Sequence, residues 1–368
     1  MVSRLQFTPS VSSLKKFTAR HEKHGPALSK LIKNDELSEA LHRRGFIVRV
    51  WRLEYDGMKR RKRFFLKGIV NHVYQRAVDG FLLFYSVSDY LIYFTRMCVL
   101  AVKYRIRILA VSIMPDHIHL SLIAESMSDF SSFMRELTAS FSAENNKVCH
   151  RSGQLFESPF GSAVKKGDKK ARSNLLYVNN NGPERRLCKY AEQYRWNFLA
   201  YYDDSNPFSE PIVVRKASWP MKKAIREVVS TKNDGRPLNY RQLQRLFKPL
   251  DRKEKEQLSD FIINTYNVLD YASAIRFFDT FEEMIIALHS DTGSEYDINE
   301  VFVGRSDACF AKMISLCMDY LQLEDIHDVL TLDIEKKFDL FRLLSAKTDA
   351  LPEQVAAFLR IPVNKLIQ

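Results

Sequence analysis

Apolar and polar residues alternate most sharply at residues 112–123, which read Ser-Ile-Met-Pro-Asp-His-Ile-His-Leu-Ser-Leu-Ile. Period two predicts a strand, with His117, His119 and Ser121 on one face and Ile118, Leu120 and Leu122 on the other. Pro115 and Asp116 suit a turn entering it. Residues 64–76 read as an earlier strand that sets Val70, His72, Tyr74 and Arg76 on one face, before a turn at Asp79-Gly80. Leu91, Phe94, Cys98 and Ala101 recur at helical spacing and predict a helix over 86–104, capped at Ser86 or Ser88. A strand over 105–113 follows. After the His-x-His strand, Phe130, Phe133, Met134, Leu137 and Phe141 mark an amphipathic helix to about Lys147. A last strand, 154–164, carries Pro159 and Gly161 as a bulge or edge. The order is βαββαβ, the ferredoxin-like arrangement of an antiparallel sheet with two helices on one side. The other face, which carries the histidines, is expected to be open.

The flanks read differently. Residues 1–55 form an N-terminal extension, helical in spacing around Leu28, Leu31 and Leu41 and strand-like from Phe46. Residues 203–207 read as a linker. Beyond it, periodicity predicts helices at 220–231, 238–247, 252–266, 279–288, 306–321, 333–346 and 352–359. The fold class is therefore α+β: a sheet domain over 56–204, then an all-α C-terminal domain over 205–368. Pro352 and the turn at Arg360-Ile361-Pro362 give that domain's end a helix-turn-helix-like rhythm.

Composition narrows the class. Hydrophobic residues make up 46% and charged residues 27% of the 368 positions, ordinary for a soluble globular protein. Five scattered cysteines without a C-x-x-C pair argue for reduced thiols in a cytoplasmic chain, not for a disulfide framework or a zinc ribbon. The most apolar run, 81–102, is broken by Asp89 and Arg96, so no membrane span is expected. Net charge is +12, and its placement matters more than its size. Residues 1–204 hold 34 Lys+Arg against 19 Asp+Glu, whereas 205–368 hold 22 against 25. A basic excess confined to the half with the His pair points to a polyanion, and so to a nucleoid-associated protein in the cytoplasm. The candidate phosphate contacts are the run Lys59, Arg60, Arg61, Lys62, Arg63, the loop Lys165, Lys166, Lys169, Lys170, and His72 and Arg76 on the sheet. The acidic balance of 205–368 favours packing or assembly, with a homodimer as the candidate oligomer.

Two chemical features remain. Paired imidazoles on one rigid face are half of a divalent-metal site, although His-x-His alone is a common and weak signal. Tyr177 and Asn181 are spaced i, i+4 on a helix that Gly182-Pro183 is expected to stop, so a phenol and an amide share one face. That spacing too is weak by itself.

Taken together, His72-Val73-Tyr74-Gln75-Arg76, Met114-Pro115-Asp116-His117-Ile118-His119-Leu120, Gly153-Gln154-Leu155-Phe156-Glu157 and Tyr177-Val178-Asn179-Asn180-Asn181 resemble the single-tyrosine transposases. These are the REP-associated and insertion-sequence types of the HUH endonuclease superfamily, and the similarity covers roughly residues 65–200. The resemblance implies a magnesium or manganese ion held by His117 and His119, with Asn181 as a third ligand. It implies that Tyr177 attacks a phosphodiester of single-stranded or hairpin DNA, leaving a 5′-phosphotyrosine and a free 3′-hydroxyl. Where relatives read Asn-Pro-Val-Arg, this chain has Asn181-Gly182-Pro183-Glu184-Arg185. The residues suit such chemistry: the phosphate charge must be neutralised, and a phenol of pKa about 10 ionises more readily beside a cation. Two other readings use the same residues. One is a domesticated regulator that binds DNA hairpins without cutting them. The other is a phosphoesterase using metal-bound water, for which Tyr177 is dispensable.

Overall fold

The computed structural model describes residues 64–157, 159–290 and 306–362. The N-terminal extension, the basic run 59–63 and the last residues of the expected helix-turn-helix, 363–368, lie outside them.

β1 (Asn71–Arg76), α1 (Val87–Lys103), β2 (Arg107–Ile113), β3 (His117–Ile123), α2 (Met127–Val148) and β4 (Gly161–Val164) succeed one another as expected. The sheet runs β2-β3-β1-β4 with every pair antiparallel, which is the ferredoxin-like order. The first and last strand segments are shorter than their periodicity. β1 begins only at Asn71, and β4 keeps just four residues at the sheet's edge. Only an isolated bridge between Ala77 and Phe156 marks the earlier part of that last segment.

α1 begins where Ser86 and Asp89 form a capping box, and Asp89 Oδ2 also accepts from the Tyr85 and Ser86 amides at 2.7 Å each. Arg96 is buried because its guanidinium donates to the Leu238 carbonyl at 2.9 Å and pairs with Glu144 at 3.2 Å. Both charges that interrupt the apolar run 81–102 are thus satisfied inside the fold. Among the described residues no helix is long and apolar enough to cross a membrane. All five cysteines are free thiols.

The apolar sheet face, with Val73, Val111, Ile118, Leu120 and Leu122, packs under α1 and α2 through Phe94, Met97, Phe133, Leu137 and Phe141. After α3 (Asp168–Glu184) and three 3-10 turns come α4 (Trp219–Asn233), α5 (Tyr240–Phe247), α6 (Arg252–Tyr266), α7 (Tyr271–Ile275) and α8 (Phe281–Ser290). The expected boundary at 204/205 does not divide the core. Met221, Ala224, Val228, Leu243, Leu258 and Ile262 of α4–α6 belong to the same buried cluster as the sheet and α1. The expected linker is pinned from both sides by the buried Asp260 carboxylate. It accepts from Tyr201 Oη at 2.6 Å and from the Phe208 amide at 3.0 Å, and it pairs with Arg195 at 3.3 Å. α9 (Cys309–Leu321), α10 (Ile334–Lys347) and α11 (Pro352–Leu359) gather a further core around Phe310, Met313, Leu340, Leu344 and Phe358, which closes onto Leu82 and Tyr85 just before α1.

Candidate active site

Sheet register assembles the site. β1 sets His72 opposite Ser121, Tyr74 opposite His119 and Arg76 opposite His117. Directly paired residues point to the same side, so all six share one face. On β4, Gly161 lies opposite Tyr74. A β-carbon there would fall 2.1 Å from Tyr74 Cζ, so the half-exposed phenol ring lies where only glycine leaves room.

The expected open face is in fact covered. α3 lies across it, and His72, His117, His119 and Tyr177 are each no more than 3% exposed. The cause is apolar: Ala171, Leu175, Leu176 and Val178 of α3 pack with Leu109, Ala110, Phe278, Met284 and Leu288. An irregularity of register between Ile108 and Ala110 gives β2 an extra residue, and Leu109 joins Ala110 on the α3 side. Ser121 Oγ, donating to Asn174 Oδ1 at 3.0 Å, adds a polar tie between the sheet and α3.

Under this helix the rings form a chain. His72 Nε2 lies 3.0 Å from His119 Nδ1, and His119 Nε2 lies 3.5 Å from the Tyr177 hydroxyl. His117 stands edge-on to His119 with centroids 4.9 Å apart. Its Nδ1 is 2.5 Å from Asp116 Oδ1, while its Nε2 is buried without a hydrogen-bond partner among the described residues. Burial, reinforced by the Lys165 charge, pushes His72 down to about 3. Burial, helped by the neighbouring His117 and His72 and by the Arg76 and Arg185 charges, holds His119 well below the ordinary imidazole range. Both rings are therefore neutral near pH 7 and keep a lone pair each.

A divalent ion can be tested against these donors. Among the described residues no three His, Cys, Asp or Glu side chains converge on a point. The orphaned His117 Nε2 nevertheless fits a ligand, because a carboxylate on Nδ1 is the usual support for a metal-binding imidazole. His119 offers a second nitrogen, shared with Tyr177.

The other candidates scatter. Asn181 is buried, and its amide nitrogen turns back on α3, donating to the Tyr177 and Val178 carbonyls at 2.8 and 3.4 Å. The helix does not stop at Gly182-Pro183 but runs to Glu184. Gly182 serves contact: a β-carbon there would meet Tyr194 Cγ at 2.8 Å. Tyr194 in turn donates from its hydroxyl to the Ile113 carbonyl at 2.7 Å. His72 is buried in the ring chain and is not a surface contact for phosphates. Arg76, Lys166, Lys169 and Lys170 are exposed, and Lys165 is half-buried. The sequence reading missed Asp116, taken only as a turn residue, and the place of His72 as a third imidazole. Its period-two alignment with Tyr74 and Arg76 was the available signal.

Residues 87–181, about a quarter of the chain, match the family model described as IS200-like transposase. That stretch contains His117, His119, Tyr177 and Asn181. No curated protein matches. Among solved structures, a REP-associated tyrosine transposase bound to a REP hairpin aligns at 17% identity with a TM-score of 0.35, covering 39% of this chain and 84% of that one. The chain resembles the single-tyrosine HUH transposases.

Proposed function

We propose that this chain is a metal-dependent strand transferase for single-stranded DNA, cutting at hairpins through Tyr177. The observation that carries the reading is the proximity of the Tyr177 phenol to His119, beside an imidazole whose buried Nε2 has no partner. In the proposed reaction Tyr177 Oη forms a bond to phosphorus and gives up its proton. The bond from phosphorus to the 3′ oxygen breaks, and that oxygen takes a proton. The products are a 5′-phosphotyrosine and a free 3′-hydroxyl. Because an ester replaces an ester, attack by a 3′-hydroxyl rejoins the strand, and the cleavage is a transfer.

Magnesium or manganese, held by His117 Nε2, by His119 and by Asn181 directly or through water, would supply positive charge to the scissile phosphate. The rest belongs to the chain. Asp116 fixes the His117 ring. Burial keeps His72 and His119 uncharged, so their lone pairs are available. Arg76, Lys165 and Arg185, whose charges reach the two imidazoles, would offset part of the phosphate's charge. Arg185 is itself paired with Asp307 at 3.8 Å. With Tyr177 only 3% exposed, α3 must shift for DNA to enter. That burial also favours a second reading, a domesticated regulator that binds a hairpin and never opens.

One experiment separates them. The full chain is incubated with a labelled hairpin and manganese, and covalent adducts are resolved under denaturing conditions. We expect an adduct in the wild type and none in Tyr177→Phe, which loses one oxygen and keeps the fold and the hairpin affinity. An adduct persisting in Tyr177→Phe would move the nucleophile elsewhere. Cleavage without any adduct favours the phosphoesterase, and tight binding without cleavage favours the regulator.

A further inference from the structure

The acidic balance of residues 205–368 conceals a concentrated basic surface. Residues 213–226 hold Arg215, Lys216, Lys222, Lys223 and Arg226 and no acid. The remainder of 205–368 is left with 17 cations against 25 anions. Among the described residues none of the five pairs with a carboxylate. The nearby acids are engaged elsewhere: Glu254 accepts from the Ser218 amide at 3.3 Å, Glu210 pairs with Lys253 at 2.5 Å, and Glu227 pairs with Arg245.

On α4, Trp219, Lys222, Lys223 and Arg226 stand at i, i+3, i+4 and i+7 and so form one stripe. The opposite stripe, Met221, Ala224 and Val228, is buried in the core. Trp219 heads the outer stripe and is 68% exposed, the most exposed large apolar side chain among the described residues. The Lys223 ammonium sits 5.5 Å from its ring centroid, so the indole is neighboured by a cation. The buried stripe of α4 belongs to the core on the apolar sheet face, whereas the imidazoles stand on the other face of the sheet.

We propose that Trp219 and these five cations form a second, non-catalytic site for single-stranded DNA, with an unpaired base stacked on the indole and phosphates on the cations. An open aromatic face among cations is how proteins hold single strands without reading sequence, whereas a duplex hides its base faces. A membrane surface is the weaker fit. An interfacial helix needs an apolar stripe along its length, and past Trp219 this one presents Lys223, Arg226 and Ser230, with Val229 exposed and Ile225 half-buried beside them. The choice of DNA as the polyanion rests on the strand-transferase reading.

The test uses the full chain, a short fluorescein-labelled oligothymidylate that forms no hairpin, and anisotropy across a salt series. Trp219→Ala should weaken binding roughly tenfold, and Trp219→Phe should retain most of it. Lys223→Glu should reduce the slope of log K against log salt by about 0.7. Adduct formation at Tyr177 should be unchanged in all three, and thermal melts should confirm that they fold. Trp219→Ala binding the oligonucleotide as tightly as the wild type would overturn the site, as would Trp219-dependent binding to vesicles of anionic lipid with none to oligothymidylate. If no adduct ever forms at Tyr177 while oligothymidylate binding still depends on Trp219, the transferase reading fails and this surface stands.

Discussion

At the scale of single residues, the centre of the site is a competition for lone pairs. His119 has one nitrogen near His72 and the other near Tyr177, whereas His117 has one nitrogen on Asp116 and the other unclaimed. His117 is therefore the stronger candidate ligand, and Asp116 supports it by fixing the ring. We expect His117→Ala to abolish manganese binding to the DNA-free protein in calorimetry. Asp116→Asn should weaken it by roughly tenfold or more, the usual effect of removing a supporting carboxylate. Tyr177→Phe, which removes a rival for the His119 lone pair, should bind manganese at least as tightly as the wild type. Unaltered manganese affinity in His117→Ala would show that the imidazole cluster is structural. The paired histidines were legible from period two alone. Asp116 was not, because a turn residue and a supporting carboxylate look the same until the ring beside it is placed.

At the scale of elements, most of the regular structure could be read from the chain because local signals agree with it. Ser86 and Asp89 cap α1, Ser126 caps α2 with its side chain accepting from the Asp129 amide, and the helices of the C-terminal half fall where apolar spacing puts them. What could not be read depends on partners distant in sequence. Nothing local says that α3 lies over the histidines, since its apolar residues meet Phe278, Met284 and Leu288 about a hundred positions later. Gly182 is the clearest case. Next to proline it reads as a helix stop, yet α3 passes through it with no positive φ, and the missing β-carbon admits Tyr194. The two roles predict opposite effects. With free space, alanine inside a helix would stabilise by up to about 1 kcal/mol. Against Tyr194 Cγ at 2.8 Å, Gly182→Ala should cost about 1–3 kcal/mol. Denaturant unfolding of the two proteins measures this, and a more stable variant would refute the packing role.

At the scale of the whole molecule, the C-terminal helices are fastened to the sheet domain by charge as well as by apolar contact. Tyr85 donates its hydroxyl to the Phe358 carbonyl at 2.7 Å, and Arg360 donates to the Leu82 carbonyl at 2.9 Å. Between them lies a charged triad, with Asp89 and His327 buried and Asp325 half-exposed. His327 Nε2 is 2.9 Å from Asp89 Oδ1 and its Nδ1 is 2.6 Å from Asp325 Oδ1, while Tyr240 donates to Asp89 as well. Burial alone would lower the His327 pKa, but the Asp89 charge and the hydrogen bonds to both carboxylates outweigh it and raise it to about 11. Burial opposes ionisation of Asp89 and Asp325 too, and the His327 charge and hydrogen bonds hold both below the usual carboxylate range. A raised imidazole stabilises the fold fully below its unfolded value of 6.5, and this contribution fades as pH climbs toward about 11. The lowered carboxylates contribute above their unfolded value of 3.8, and that part is lost as pH falls below it. Other groups also titrate in alkali, so the informative quantity is the difference between the wild type and His327→Gln. That variant removes the charge and leaves Asp89 buried beside Tyr240, at a cost of about 3 kcal/mol. The melting-temperature gap should be widest between the carboxylate and imidazole ranges. It should narrow steadily on the alkaline side, as the wild-type imidazolium loses its proton. A gap that stays constant with pH would mean that His327 holds the C-terminal helices by shape and hydrogen bonding alone, without its charge.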